Sequence, residues 1–334
     1  MSRWLLCVVA ALAFTVPSAS AAGKAPKVKV HVRPHGTTIN SCPIFPADNV
    51  WNTPIDTLPV DPNSDNYINS IGATTSLHPD FGAGTYMPNR QPFGIPYAIL
   101  TTSQRPIPIF FYYYDESDPG PWPIPSNVPI EGGRYSTGDR HIIVVDTVNC
   151  RLYEAWKAYP LFGYQLWLAG SGASWDLTSN ALRPAGWTSA DAAGLPIFAG
   201  LVRYDETDSG LITHAIRFTA SATRNEYIWP ARHKASSNSD PNLPPMGQRF
   251  RLKAGFDMTG YSRDSVAILT ALKTYGMILA DNGSNWYISG EPNPLWDDDV
   301  LNELKNVKGS DFEAVDTSSM IIDPNSGQAV QPGS

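Results

Sequence analysis

Thirty prolines and 26 glycines are spread through the 334 residues. They leave runs of β-branched and aromatic residues long enough only for brief strands. Ile107 to Tyr114 is apolar and aromatic and ends in the turn formers Asp115 to Gly120. His141 to Thr147 and Arg151 to Lys157, separated by Val148-Asn149-Cys150, predict a hairpin. Gln165 to Ala169, Gly200 to Tyr204 and Gly210 to Thr219 continue the series, with Asp208-Ser209-Gly210 as a turn. Gly170 to Ser174 is glycine-rich and reads as another turn. Arg249 to Lys253 alternates basic residues with Phe250 and Leu252, the pattern of a strand exposed on one face. Three segments read as helices, the first from the capping Asp and Ser residues ahead of it and the other two from their period. A short one covers Asn66 to Ile71, a longer one runs from Arg263 to Tyr275 behind Ser262, and a third is opened by Asp297-Asp298-Asp299. Asp311 to Val315 predicts a last strand. The expected class is mainly β, an antiparallel β-sandwich or irregular β-barrel with two short C-terminal helices and no long crossover helices.

The start of the chain has a different character. Arg3 precedes an apolar run from Trp4 to Val16, Pro17 breaks it, and Ala19-Ser20-Ala21 offers the small residues of a signal-peptidase cut. Residues 1–21 therefore read as a secretory signal too short to span a bilayer, which predicts a secreted or periplasmic protein without membrane insertion. Residues 22–41 read as a flexible arm ending in an edge strand near Val28 to Val32. Residues 42–322 read as a single β-rich domain and 323–334 as a disordered tail. An alternative division sets Pro184 to Gly194 between two β modules.

Loss of Arg3 takes one from 24 basic residues against 31 acidic, moving the formal charge from −7 to −8. The remaining lysines and arginines form no stripe, so a nucleic-acid partner is not expected. Cys42 and Cys150 are the cysteines left once Cys7 is removed. Export would favour a disulfide between them, with two buried thiols as the alternative. Asn282-Gly283-Ser284 is the one glycosylation sequon.

Motifs of nucleophile elbows, zinc helices, phosphate loops and dinucleotide sites are missing from the sequence. The candidates are looser. His78 and Asp80 lie two residues apart in Leu77 to Gly82, and Asp139 and His141 share that spacing ahead of a hydrophobic strand. In extended chain such pairs point the same way. Convergence of the two segments would give either a divalent metal site (His78, Asp80, Asp139, His141) or a base with its orienter; the ordinary alternative is turn aspartates bonded to backbone. His214 shares a strand face with Ile212, Ile216 and Phe218, where a core role competes with a catalytic one. His233, between Arg232 and Lys234, suits either an anionic sugar or an exposed loop.

Hydrolysis of a sugar needs two carboxyl groups, one of them still protonated near neutrality. Asp139, Glu154, Asp191, Asp205, Glu206 and Asp281 are candidates, with Asp191 close behind Trp187 and Asp205-Glu206 at an expected strand end. Many tryptophans and tyrosines supply flat surfaces for stacking sugars as well as core. The leading expectation is a secreted enzyme acting on polysaccharide or oligosaccharide. As a glycoside hydrolase it would draw acid and base from Asp139, Asp191, Asp205 and Glu206. As a lyase it would use His141 or His214 near Tyr204, with Arg203 or Arg217 on a uronate. The competing expectation is a non-catalytic carbohydrate-binding or cell-surface β protein.

Overall fold

In the computed structural model Ile142–Asp146 pairs antiparallel with Arg151–Trp156, from Ile142 opposite Ala155 to Asp146 opposite Arg151. Asp146 also shapes the turn, its Oδ1 accepting from the amides of Val148 and Asn149. The structure describes residues 38–86 and 91–331, within the second of two units into which the chain divides, Met1–Arg33 and Pro34–Ser334. The expected signal peptide, most of the arm and the Val28 to Val32 strand lie outside the described residues. The last residues of the arm are described, and Thr38–Ile39 pairs with Cys42–Pro43.

The class is mainly β, with helices Arg263–Thr274 and Asp298–Asn302 near the C-terminus and two others, Ser64–Ile71 and Tyr204–Ser209. The hairpin sits in a four-stranded sheet ordered Ser171–Asp176, Arg151–Trp156, Ile142–Asp146, Ala98–Leu100. A six-stranded sheet is ordered Phe312–Ala314, Arg249–Leu252, Met277–Asn282, Ile216–Ala220, Tyr287–Ser289, His78–Asp80. Two of its pairings, Ile216–Ala220 with Met277–Asn282 and Tyr287–Ser289 with His78–Asp80, are parallel. A third sheet joins Tyr159–Leu161, Leu166–Ala169 and Ile109–Phe111.

Period-two alternation explains how these sheets stack. Ile143, Val145 and Leu152 face a core shared with Phe218, Phe250, Ile278 and Ile288 of the six-stranded sheet. Ile142, Val144 and Ala155 point the other way, into a second core with Trp122 and Trp167. The strand Ile142–Asp146 is buried on both faces, which is why it reads as an unbroken apolar run. The larger core takes side chains from both sides of Pro184 to Gly194.

Several local expectations are corrected. Gly170 to Ser174 is not a turn, since Ser171–Asp176 is a strand. Gly172 is there because a Cβ would come within 2.4 Å of Phe111 and 2.6 Å of Trp122. Of the strand expected from Gly210 to Thr219, Ile216–Ala220 is strand, and Tyr204–Ser209 is a helix closed by Gly210 at φ 79°. Arg249 and Arg251 do not face solvent. Arg249 donates to the carbonyls of Val50, Thr53 and Tyr275, and Arg251 to those of Ile55 and Leu58 and to Glu313. Alternation marked the right positions, but carbonyls of the Val50 to Leu58 segment, with that of Tyr275 at a helix end, cover that face. The tail is ordered through Gln331. Arg232 binds Pro324 O and Asn325, Trp229 donates to Ser326 O, and Gln328 bridges to Asn49. Cys42 and Cys150 are joined in a disulfide.

Candidate active site

Three strands of the six-stranded sheet pave one wall of a cleft with alternate residues. Phe218 and Ile288 enter the core, so Arg217 and Thr219 on one strand, and Tyr287 and Ser289 on the next, take the opposite face. The register sets Thr219 beside Tyr287, Tyr287 beside His78 and Ser289 beside Asp80. His78 and Tyr287 stack with ring centres 4.0 Å apart. Met277–Asn282 contributes Asp281 from its end. Opposite this wall come Glu131, Asp139 and His141 from the chain leading into Ile142–Asp146. The wall residues other than His78, with Asp281, Glu131, Asp139 and His141, line a cavity of about 180 Å³.

Arg217 organises the floor. Its Nε and Nη2 donate to the two oxygens of Asp191 at 2.7 Å each, and Nη1 donates to Ser289 Oγ at 2.6 Å. Nη2 also reaches Asp281 at 3.3 Å. Burial would lower the Arg217 pKa, but Asp191 and then Asp281 outweigh it and hold the guanidinium charged. Burial and then the Asp191 charge push the Asp281 carboxyl well above the usual range, against the pull of Arg217.

His141 is held from both sides. Nδ1 lies 2.6 Å from Glu131 Oε2 and Nε2 lies 3.0 Å from Ala190 O. Both neighbours are acceptors, so both ring nitrogens donate and the ring is an imidazolium. Burial opposes that charge, yet Glu131 prevails and raises the pKa to about 9. Glu131 is lowered in turn, the imidazolium overcoming its own burial. Asp80, half-buried nearby, is pushed up to about 6, by burial first and the Glu131 charge second. Asp139 is exposed and accepts from the Trp156 indole at 2.9 Å.

The fold thus brings Asp80, Asp139, His141 and Asp191 together, with His78 flanking them against Tyr287. It does not bring Asp205, Glu206 or His214. Asp205 is exposed in the first turn of Tyr204–Ser209, while Glu206 is bonded to Arg203 at 2.8 Å and His214 at 3.1 Å in a separate buried cluster. The expected strand Gly200 to Tyr204 does not form, and the helix Tyr204–Ser209 that follows carries those carboxyls away from the cleft. The His78, Asp80, Asp139, His141 metal set is also corrected. Among the described residues no three His, Cys, Asp or Glu side chains stand where they could hold a metal ion. His78 is stacked on Tyr287, and His141 has no lone pair left to give. Glu154 is a structural anchor, accepting from the amides of Ile197 and Phe198 at 2.8 Å each. His233 donates toward Ala192 O at the cleft rim.

Sequence reasoning missed Glu131, Tyr287 and Ser289. A signal existed for the last two, since Tyr287 and Ser289 bracket apolar Ile288 in strict alternation; Glu131 sits in a glycine-rich loop that carries no pattern. No family model, curated protein or solved structure matches the chain.

Proposed function

We propose that the protein is an exported glycoside hydrolase in which Asp80 is the proton donor and Asp139 the base or nucleophile. What carries the reading is one cavity holding a carboxyl whose pKa is pushed to about 6 together with an exposed carboxylate steadied by an indole N–H. Asp80 protonates the glycosidic oxygen as its bond to the sugar carbon breaks. Asp139 either takes a proton from the attacking water or bonds to that carbon first. Arg217 and the Glu131–His141 pair fix the surrounding charges, so the polar wall need not reorganise as charge develops.

The lyase alternative loses its support. Arg217 is committed to Asp191 and Ser289, and Arg203 to Glu206 and His214, which leaves neither arginine for a uronate. Acidic lining by Asp80, Glu131, Asp139 and Asp281 further disfavours an anionic sugar. The substrate class is therefore a glycan without uronate. A purely binding role has no use for a carboxyl in the cleft that keeps its proton up to about pH 6.

The test is reducing-end release from a panel of neutral polysaccharides and oligosaccharides. Asp80→Asn and Asp139→Asn are each expected to cut kcat by about 10²–10⁴-fold. The wild-type rate should fall as pH rises through about 6, where Asp80 loses its proton, and this limb should vanish from the residual activity of Asp80→Asn. Full activity in both variants overturns the assignment.

A further inference from the structure

We infer that the cleft takes a glycan through its middle and cuts internal bonds, an inference that rests on the hydrolase reading. The cavity holding Asp80 and Asp139 is flanked by two larger ones. One, of about 400 Å³, is lined by Tyr113, Trp156 and Thr188 and shares Asp139, Asp281 and Asn282 with the centre. The other, of about 500 Å³, is lined by Gln91, Tyr135 and Ser136 and shares Asp80, Glu131 and Asp139 with the centre. Asp139 is thus a common wall of all three, and the reacting groups sit at a junction instead of at the bottom of a blind pocket.

Both flanks carry what a sugar chain needs. Trp156 is half-buried with its indole nitrogen bonded to Asp139, so its ring is fixed beside the reacting group. Tyr113 is 44% exposed on the same side. Across the junction, Tyr135 is 82% exposed, a ring with little packing against the protein. Aromatic faces on either side of the acid pair offer stacking to units before and after the scissile bond. An enzyme that trims chain ends needs such binding on one side alone.

The experiment digests soluble mixed-linkage β-glucan, arabinoxylan, galactomannan and dextran, with aryl monoglycosides alongside. Viscosity, reducing ends and product lengths are followed together. The expected result is an early fall in viscosity while few bonds are broken, with products of several lengths. Tyr135→Ala should reduce kcat/KM on long chains several-fold more than on trimers; this exposed ring has no fold to support, so a merely structural defect would act equally on both. One short product from the outset with viscosity tracking bond cleavage, or Tyr135→Ala acting equally on long and short chains, overturns the internal mode and leaves the hydrolase reading standing. No cleavage of any polymer or aryl glycoside overturns both.

Discussion

His141 shows how a residue's two hydrogen-bond partners decide the chemistry it can do. A histidine two residues from an aspartate invites reading as a base, but with acceptors at both ring nitrogens it holds its second proton to about 9. Its pairing with Glu131 has a pH signature with a definite sign. The folded imidazolium binds its proton more tightly than the unfolded one at 6.5, so its contribution is full below 6.5 and is lost as pH rises through about 9. Glu131 is lowered from 4.5, so its contribution is full above 4.5 and is lost as pH falls through its depressed value. Glu131→Gln is expected to cost roughly 2–3 kcal/mol at pH 6, the cost of stripping a buried charge of its partner. Urea titrations at a series of pH values should find that difference shrinking above pH 9. A difference constant from pH 5.5 to 9.5 would mean the pair is not ionic. Asp80 differs in kind: with a neighbouring negative charge and partial burial it becomes an acid, and nothing in His-Pro-Asp-Phe announces that, because Glu131 is 51 residues away in sequence.

At the scale of elements, the sequence was legible where local chemistry and burial agree. The Ile142–Asp146 hairpin, helix Arg263–Thr274 and the acidic start of Asp298–Asn302, where Asp297 accepts from the amides of Asp299 and Val300, each carry their signals within a few residues. Tyr204–Ser209 was not legible as a helix because its six residues are too few for a period, and its acidic first turn resembles an ordinary loop. Strand Arg249–Leu252 shows a different limit. Its alternation was visible, yet arginines at the polar positions concealed that the face is covered by the carbonyls of Val50, Thr53 and Tyr275. Arg249→Leu leaves those acceptors unmet and should cost about 3 kcal/mol. A denaturant midpoint equal to wild type would show that solvent reaches this face. The candidate site was half legible for the same reason. Asp80, Asp139, His141 and Asp191 belong to short local patterns, whereas their meeting depends on three sheet registers and a loop.

At the scale of the molecule, the chain is tied near both ends of its described part. Cys42 reaches Cys150 in the turn of the central hairpin, across a sequence separation of 108 residues. Closing so long a loop restricts the unfolded chain, and removing the bond by Cys42→Ser with Cys150→Ser should cost about 2–5 kcal/mol. Thermal melts with and without reductant check this, and a Tm indifferent to reductant and to substitution would contradict it. The opposite end runs back along Asn49, Asn180 and Trp229. Among the described residues no helix is long and apolar enough to cross a membrane.

The strand Ile216–Ala220 gives Phe218 to the hydrophobic interior and Arg217 and Thr219 to the polar wall. Its pairing with Met277–Asn282 and Tyr287–Ser289 therefore sets two things at once. Slippage by a single residue would send a guanidinium inward and a phenyl ring outward. Misfolded or loosened forms that keep the interior misaligned are thus denied an assembled Arg217–Asp191–Ser289 anchor. Whatever activity the protein has should appear and disappear together with cooperative folding, with no partly ordered state left competent.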